Sequence, residues 1–445
     1  MGTHLLHFSE EPHVHVGILH AEAISFKLNG SFICNDKEIC GEHTVSLHKE
    51  YVEWNGEQFK ELTFEPKHPG ASFSLYGVTI GVHFHWERQE TQTFKGSLRF
   101  IPSKEEVIAI NDISVEDYLT SVISSEMSAT ASLEFLKAHA VISRSWLLSQ
   151  ILKKKQLEIN SSKPVSCHQT EDTCIRWYDR EDHLLFDVCA DDHCQRYQGI
   201  TKASNPNVEK AIQATIGMVL SDGQEICDTR YSKCCGGITE EFAYAWEDRS
   251  YSYLSAVYDK KEEDLIPDLT IEENAEKWIK ESPKAFCNTR DEHILSQVLN
   301  NFDQETHQFY RWTVNYTQTE LSSLIKEKSG IDFGNIIDLI PVERGKSGRL
   351  SKLKIIGTKR TMIIGKELEI RRFLSPSHLY SSAFTVEKEH IQDGVPQSFH
   401  FVGAGWGHGV GLCQIGAAVM GEQGYSFRQI LFHYYKNAQI ISLYQ

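Results

Sequence analysis

Glu126 closes an apolar-periodic stretch, VEDYLTSVISSE, and is followed by Met127. A carboxyl group at the end of an apolar helix face can serve as a general acid and base. Two cations follow it, Lys137 and Arg144, seven residues apart and about 20° off a common line on a helix. The plain alternative is a helical hairpin with a solvated charged face. A second cluster is His183-x5-Cys189-x3-His193-Cys194. Two imidazoles and two thiols suit a tetrahedral zinc ion, but the spacing is not that of a zinc finger. A disulfide between Cys189 and Cys194, or plain buried thiols, stay open. A third stretch, Gly403 to Gly411, has glycine at every second position, with Trp406 and His408 between. Such a string forbids a plain helix or strand and lets the backbone pass close to another group. Either it presents Trp406 and His408 to a ligand, or Trp406 is buried and the glycines pack the helix beginning near Leu412.

The positioning elements follow from periodicity. Val115, Leu119, Val122 and Ile123 recur at helical spacing, and Ser132 is placed to cap a second helix starting at Leu133. Residues 12–110 alternate in the manner of strands, as in Val14, Val16 and Ile18 or Ile24, Phe26 and Leu28. His13, His15, His20, His83 and His85 fall on these strands and fit one exposed face better than a metal site. Val208–Ile216 is expected to be helical, and Ser221-Asp222-Gly223 a turn. The paired glycines after Tyr231-Ser-Lys-Cys-Cys mark a loop in close approach to something. Residues 248–310 are acidic and polar, and are expected to form an exposed insertion. Later elements are a helix over Leu321–Ser329, strands over 350–356 and 361–364, and two closing helices.

Length and charge bound the function. A chain of 445 residues is too long for one core. The net charge of −16 and the lack of a basic block argue against nucleic acid as a partner. No apolar run is long enough for a transmembrane segment, and no signal peptide is visible. Eleven cysteines, with local pairs Cys34/Cys40 and Cys167/Cys174, lean slightly toward disulfides.

Several motifs carry a resemblance. VEDYLTSVISSEM with LKAHAVISR, DVCADDHCQRYQG, AIQATIGMVLSDG, YSKCCGGITE and GWGHGVGLCQIGA occur in one order from about residue 110 to the end. Together they resemble the SpoIID/LytB family. His139 stands where a Gln is usual, and Ser128 where a Pro often follows Glu-Met.

The resemblance implies a mixed α/β (α+β) fold of several lobes, with an N-terminal β-rich region (1–110) and a helical catalytic segment around a glycan cleft. The family-like core would span 111–247 and resume over 311–445 after the insertion. The implied activity is that of a lytic transglycosylase, cutting MurNAc–GlcNAc bonds of denuded peptidoglycan strands. The alternative is a non-catalytic amidase enhancer or glycan-binding protein. By the same resemblance Glu126 is the catalytic residue, and Lys137 and Arg144 bind substrate with Tyr231, Trp406 and His408. His183, Cys189, His193 and Cys194 would hold a structural zinc. Expected partners are glycan strands and a cell-wall amidase, in an extracytoplasmic location.

Overall fold

The computed structural model describes residues 9–81, 87–128, 130–160, 166–177, 183–191, 193–201, 206–261, 265–298 and 308–444. His83 and His85 lie outside them.

Among the described residues the alternating N-terminal pattern folds into ten strands between His13 and Ser114. Most have one dry face, because successive side chains on a strand point to opposite sides. Val14, Val16, Phe26, Phe64, Phe73 and Phe100 are completely buried. Phe26 meets Phe64 and Phe100 at ring-centroid distances of 5.2 and 5.0 Å. The histidines of the first strand are taken by carboxylates. His13 Nδ1 is 2.7 Å from Asp112, and His15 Nδ1 is 3.1 Å from Asp187. Hydrogen bonds to Asp112 and then Asp187 push the His15 pKa up to about 9. Val188–Cys189 joins the edge of this sheet in parallel with His13–Ala21, Gly17 facing Cys189.

The strand Val107–Ser114 runs directly into helix α1, Val115–Glu126. Ser114 caps it, its Oγ accepting from the Asp117 amide at 3.4 Å. Helix α2 covers Leu133–Asn160, and Ser132 Oγ accepts the Phe135 amide at its start. The solvated charged face does not materialise. Phe135, Leu136, Val141, Ile142 and Leu147 are 0% exposed, and so are His139 and Arg144. A helix buried on most sides is a central element. It packs against α1, against helix α3 (Pro206–Ala214), and against the two closing helices.

Residues 248–310 are not simply an exposed insertion. Their helices Glu272–Glu281 and Glu292–Val298 bury Trp278, Ile279, Leu295 and Val298 under polar outer faces. A second core lies in the C-terminal part, where Leu353, Ile355, Ile364, Ile370 and Phe401 are buried. It is built on a five-stranded sheet containing Ile336–Arg344, Leu350–Gly357 and Thr361–Gly365, and a three-stranded one. The helix Gln318–Ser329 has a full capping box on Thr317 and Glu320 and ends at Gly330, as the pattern implies. The fold is mixed α/β. No helix among the described residues is long and apolar enough to cross a membrane.

None of the eleven cysteines is joined in a disulfide, which corrects the lean toward disulfides. Cys34 is buried on the inner face of its hairpin while Cys40 is exposed, so their side chains do not meet.

Candidate functional site

Glu126 ends α1 with its side chain 15% exposed, and three separate segments converge on its carboxylate. The Tyr231 hydroxyl donates to Oε1 at 3.1 Å, and the Arg196 backbone N–H donates to the same oxygen at 3.3 Å. The Gln414 side-chain amide reaches Oε2 at 3.5 Å. Tyr231 and Gln414 are brought together by a short parallel pairing, Tyr231 opposite Leu412 and Ser232 opposite Cys413.

Behind this corner sits His139. Its Nε2 accepts from the Gln414 amide at 3.2 Å, and its Nδ1 is 3.1 Å from Ser143 Oγ. Complete burial, aided by the nearby charge of Lys233, pushes the His139 pKa down to about 3. The ring is therefore neutral. Its 3.8 Å approach to Glu126 Oε2 is no ion pair at neutral pH. The ring holds the Gln414 amide by the 3.2 Å hydrogen bond.

The two expected cations are placed otherwise. Arg144 is 0% exposed and makes a two-pronged pair with Glu116, Nε at 2.9 Å and Nη2 at 2.6 Å, with Nη1 on the Met218 carbonyl. Glu116 also accepts from the Gly217 amide and the Tyr444 hydroxyl. Arg144 thus ties α1, α2 and the chain end, away from the carboxylate of Glu126. Lys137 pairs with Glu134 at 2.6 Å. The charge of Lys233 reaches His139, and its ammonium donates to the Val298 carbonyl.

The glycine loop is shaped by protein groups. Gly405, Gly407, Gly409 and Gly411 have φ of 78°, 89°, 76° and 74°, a region that favours glycine. A Cβ at Gly405 or Gly409 would collide with the Arg349 guanidinium, and one at Gly411 with the Arg230 carbonyl. Arg349 is 1% exposed and donates to the carbonyls of Gly407, Cys235 and Cys234. It holds the glycine loop against the Cys-Cys-Gly-Gly loop. Trp406 is stacked on Tyr380 at 4.2 Å and tilted against Phe309 at 4.8 Å. His408 accepts the Val410 amide on Nδ1 at 3.0 Å, and the Tyr231 backbone lies within hydrogen-bonding reach of its ring. Burial and the charges of Arg230, Arg349 and Arg371 hold its pKa well below the usual value. A neutral His408 thus supports the strand of Tyr231 from behind, instead of offering a donor outward.

The four Cys/His residues do come together. The ligand atoms of His183, Cys189, His193 and Cys194 lie within 4.8 Å of one another and could hold a metal ion. His183 Nε2 is 3.3 Å from His193 Nδ1, which is 3.7 Å from Cys194 Sγ and 4.0 Å from Cys189 Sγ. Tetrahedral ligands at zinc distances stand roughly 3.3–3.8 Å apart, so little closure is needed. Phe186 packs on His183 at 4.8 Å, in space that only a glycine at position 17 leaves.

Residues 103–221 match the family described as "Stage II sporulation protein" (SpoIID), and this span holds Glu126, α2 and the Cys/His cluster. Over this span the chain carries a SpoIID-family domain. Residues 240–411 match a domain of unknown function (DUF8618), which contains the whole 248–310 stretch. Among curated relatives, an uncharacterised protein of Brachyspira hyodysenteriae (strain ATCC 49526 / WA1) is 27% identical over 348 residues, 78% of this chain and 72% of its own. The amidase enhancer of Bacillus subtilis (strain 168) is 25% identical over 73% of this chain, which spans only 40% of that protein. Stage II sporulation protein D of Bacillus amyloliquefaciens is 22% identical over 75% of each chain.

Reading the sequence missed the Arg196 amide, Gln414 and Arg349. Gln414 carried a signal, since it lies in the GLCQIGA motif that holds the glycine loop. A backbone N–H carries none.

Proposed function

We propose that this SpoIID-family protein acts on peptidoglycan as a lytic transglycosylase, with Glu126 as its one acid and base. The observation that supports this is the convergence on Glu126 of a phenol, a peptide N–H and a carboxamide from three segments. Ordinary glycosidases use two carboxylates at a set separation. A lytic transglycosylase uses one, because the C6 hydroxyl of MurNAc attacks its own anomeric carbon. Glu126 gives its proton to the departing glycosidic oxygen. The resulting carboxylate then takes the C6 hydroxyl proton as the 1,6-anhydro ring closes. Tyr231, the Arg196 amide and Gln414 fix the carboxylate for both transfers. Lys233 is the cation we assign to the acidic substituent of MurNAc, in place of Arg144. Trp406, with Tyr380, offers an aromatic edge to the glycan.

His183, Cys189, His193 and Cys194 would hold a zinc ion in this reading. Four protein ligands close its coordination, so the ion is structural. It would fix the turn that leads from Cys194 into Arg196.

A second reading is a non-catalytic enhancer of a cell-wall amidase, favoured by the likeness to the Bacillus subtilis protein. The two separate on purified denuded glycan strands. Cleavage by the wild type and its loss in Glu126→Gln support the transglycosylase. Equal behaviour of both proteins removes Glu126 from any reaction.

A further inference from the structure

Four cysteines and an aspartate from distant parts of the chain meet in the interior, apart from the His183 cluster. Cys234 and Cys235 follow the Tyr231 strand, Cys413 precedes Gln414, and Asp259 and Cys287 come from the 248–310 stretch. Cys235, Cys287, Cys413 and Asp259 are 2%, 1%, 0% and 0% exposed. Their ligand atoms lie within 4.8 Å of one another.

Three features set this cluster apart from ordinary packing. Cys235 Sγ and Cys287 Sγ are 3.6 Å apart, far beyond the ~2.05 Å of a disulfide and near the roughly 3.8 Å edge of a tetrahedral zinc–thiolate site. Backbone amides point at the sulfurs, Cys235 N–H to Cys413 Sγ at 3.2 Å and Gly237 N–H to Cys235 Sγ at 3.4 Å. Amide donors of this kind stabilise the negative charge of metal-bound thiolates. Asp259 is oriented by the Cys287 amide at 2.9 Å and the Tyr434 hydroxyl at 2.6 Å. No lysine or arginine pairs with it among the described residues, and a buried carboxylate without a cation is costly.

We propose that Cys235, Cys287, Cys413 and Asp259 form a second metal site, for a soft divalent ion of the zinc class. Three thiolates and one carboxylate fill a tetrahedron, so the ion has no open position and its role is structural. The thiol protons are released to solvent as the metal binds. Cys234 stays outside the ligand set. The ion clamps the 248–310 stretch to the strand that carries Tyr231 and to the strand, Leu412–Cys413, that leads into Gln414. This inference does not depend on the reaction proposed above.

The test is a metal count on the full chain, purified reduced and without chelator, by native mass spectrometry and elemental analysis. Cys287→Ser is expected to lose one metal equivalent that Cys189→Ser retains, and Cys234→Ser to lose none. X-ray absorption on the Cys189→Ser protein should report a mainly sulfur first shell. This second readout decides the matter if Cys287→Ser does not fold. A disulfide among Cys235, Cys287 and Cys413, or no metal retained by Cys189→Ser, overturns the proposal. Metal lost on Cys234→Ser overturns the assigned ligand set. An empty His183 cluster would instead show as one equivalent in the wild type, unchanged in Cys189→Ser and absent in Cys287→Ser.

Discussion

The backbone N–H of Arg196 donates to Glu126 Oε1 across 3.3 Å, two residues beyond Cys194. This bond couples the Cys/His cluster to the candidate catalytic carboxylate through a very short piece of chain. Between them, Gln195 is 1% exposed and bonded to the Tyr118 hydroxyl and the Ser143 carbonyl. The cluster, α1 and α2 are thereby held in one register.

Metal removal is therefore expected to reach Glu126. Cys189→Ser should lose about one zinc per chain and should melt at a lower temperature, because metal-binding energy at such a site is folding energy. Elemental analysis and calorimetry check this. Unchanged melting with the metal gone would uncouple the cluster from the site.

Tyr231→Phe removes one hydrogen bond to a carboxylate with little change of shape. Bonds to charged groups contribute about 1.5–3 kcal/mol, so turnover on denuded strands should fall roughly tenfold to a hundredfold. Gln414→Ala should act in the same direction. The measurement is initial cleavage rate at saturating strand concentration, with circular dichroism to confirm the fold.

Arg144→Ala should act on stability. It leaves the part-buried Glu116 carboxylate without its cation, and breaking a buried pair costs up to about 3–5 kcal/mol. Chemical denaturation is the check. A stable Arg144→Ala protein with lost glycan affinity would return Arg144 to the substrate.

His139 gives a pH signature. Its folded pKa is about 3 against an ordinary value of 6.5, because burial disfavours the charged ring. Below pH 6.5 the unfolded chain takes up a proton that the folded one refuses. Stability is thus fully present above 6.5 and declines as pH falls toward 3. His139→Gln should remove this slope, on the order of 2–3 kcal/mol at pH 4.5. Parallel denaturation curves of the two proteins at pH 7 and 4.5 measure it.

The elements were legible where local periodicity decides them. Val115 to Ile123 announces α1, and Ser132 its successor's start. The burial of α2 was not legible, because Lys137 and Arg144 look solvated until Glu134 and Glu116 are set beside them. The glycine loop was legible as a special backbone, but Arg349, which shapes it, lies outside the motif. Contacts across long separations stayed hidden. Cys413 is 178 residues from Cys235, and no spacing rule joins them.

The most direct measurement is mass spectrometry of denuded glycan strands after incubation with the wild-type protein and with Glu126→Gln. The wild type is expected to give 1,6-anhydro-MurNAc ends, and the variant to cleave at least about a hundredfold less. Reducing ends, or anhydro ends formed equally well by Glu126→Gln, would contradict this mechanism.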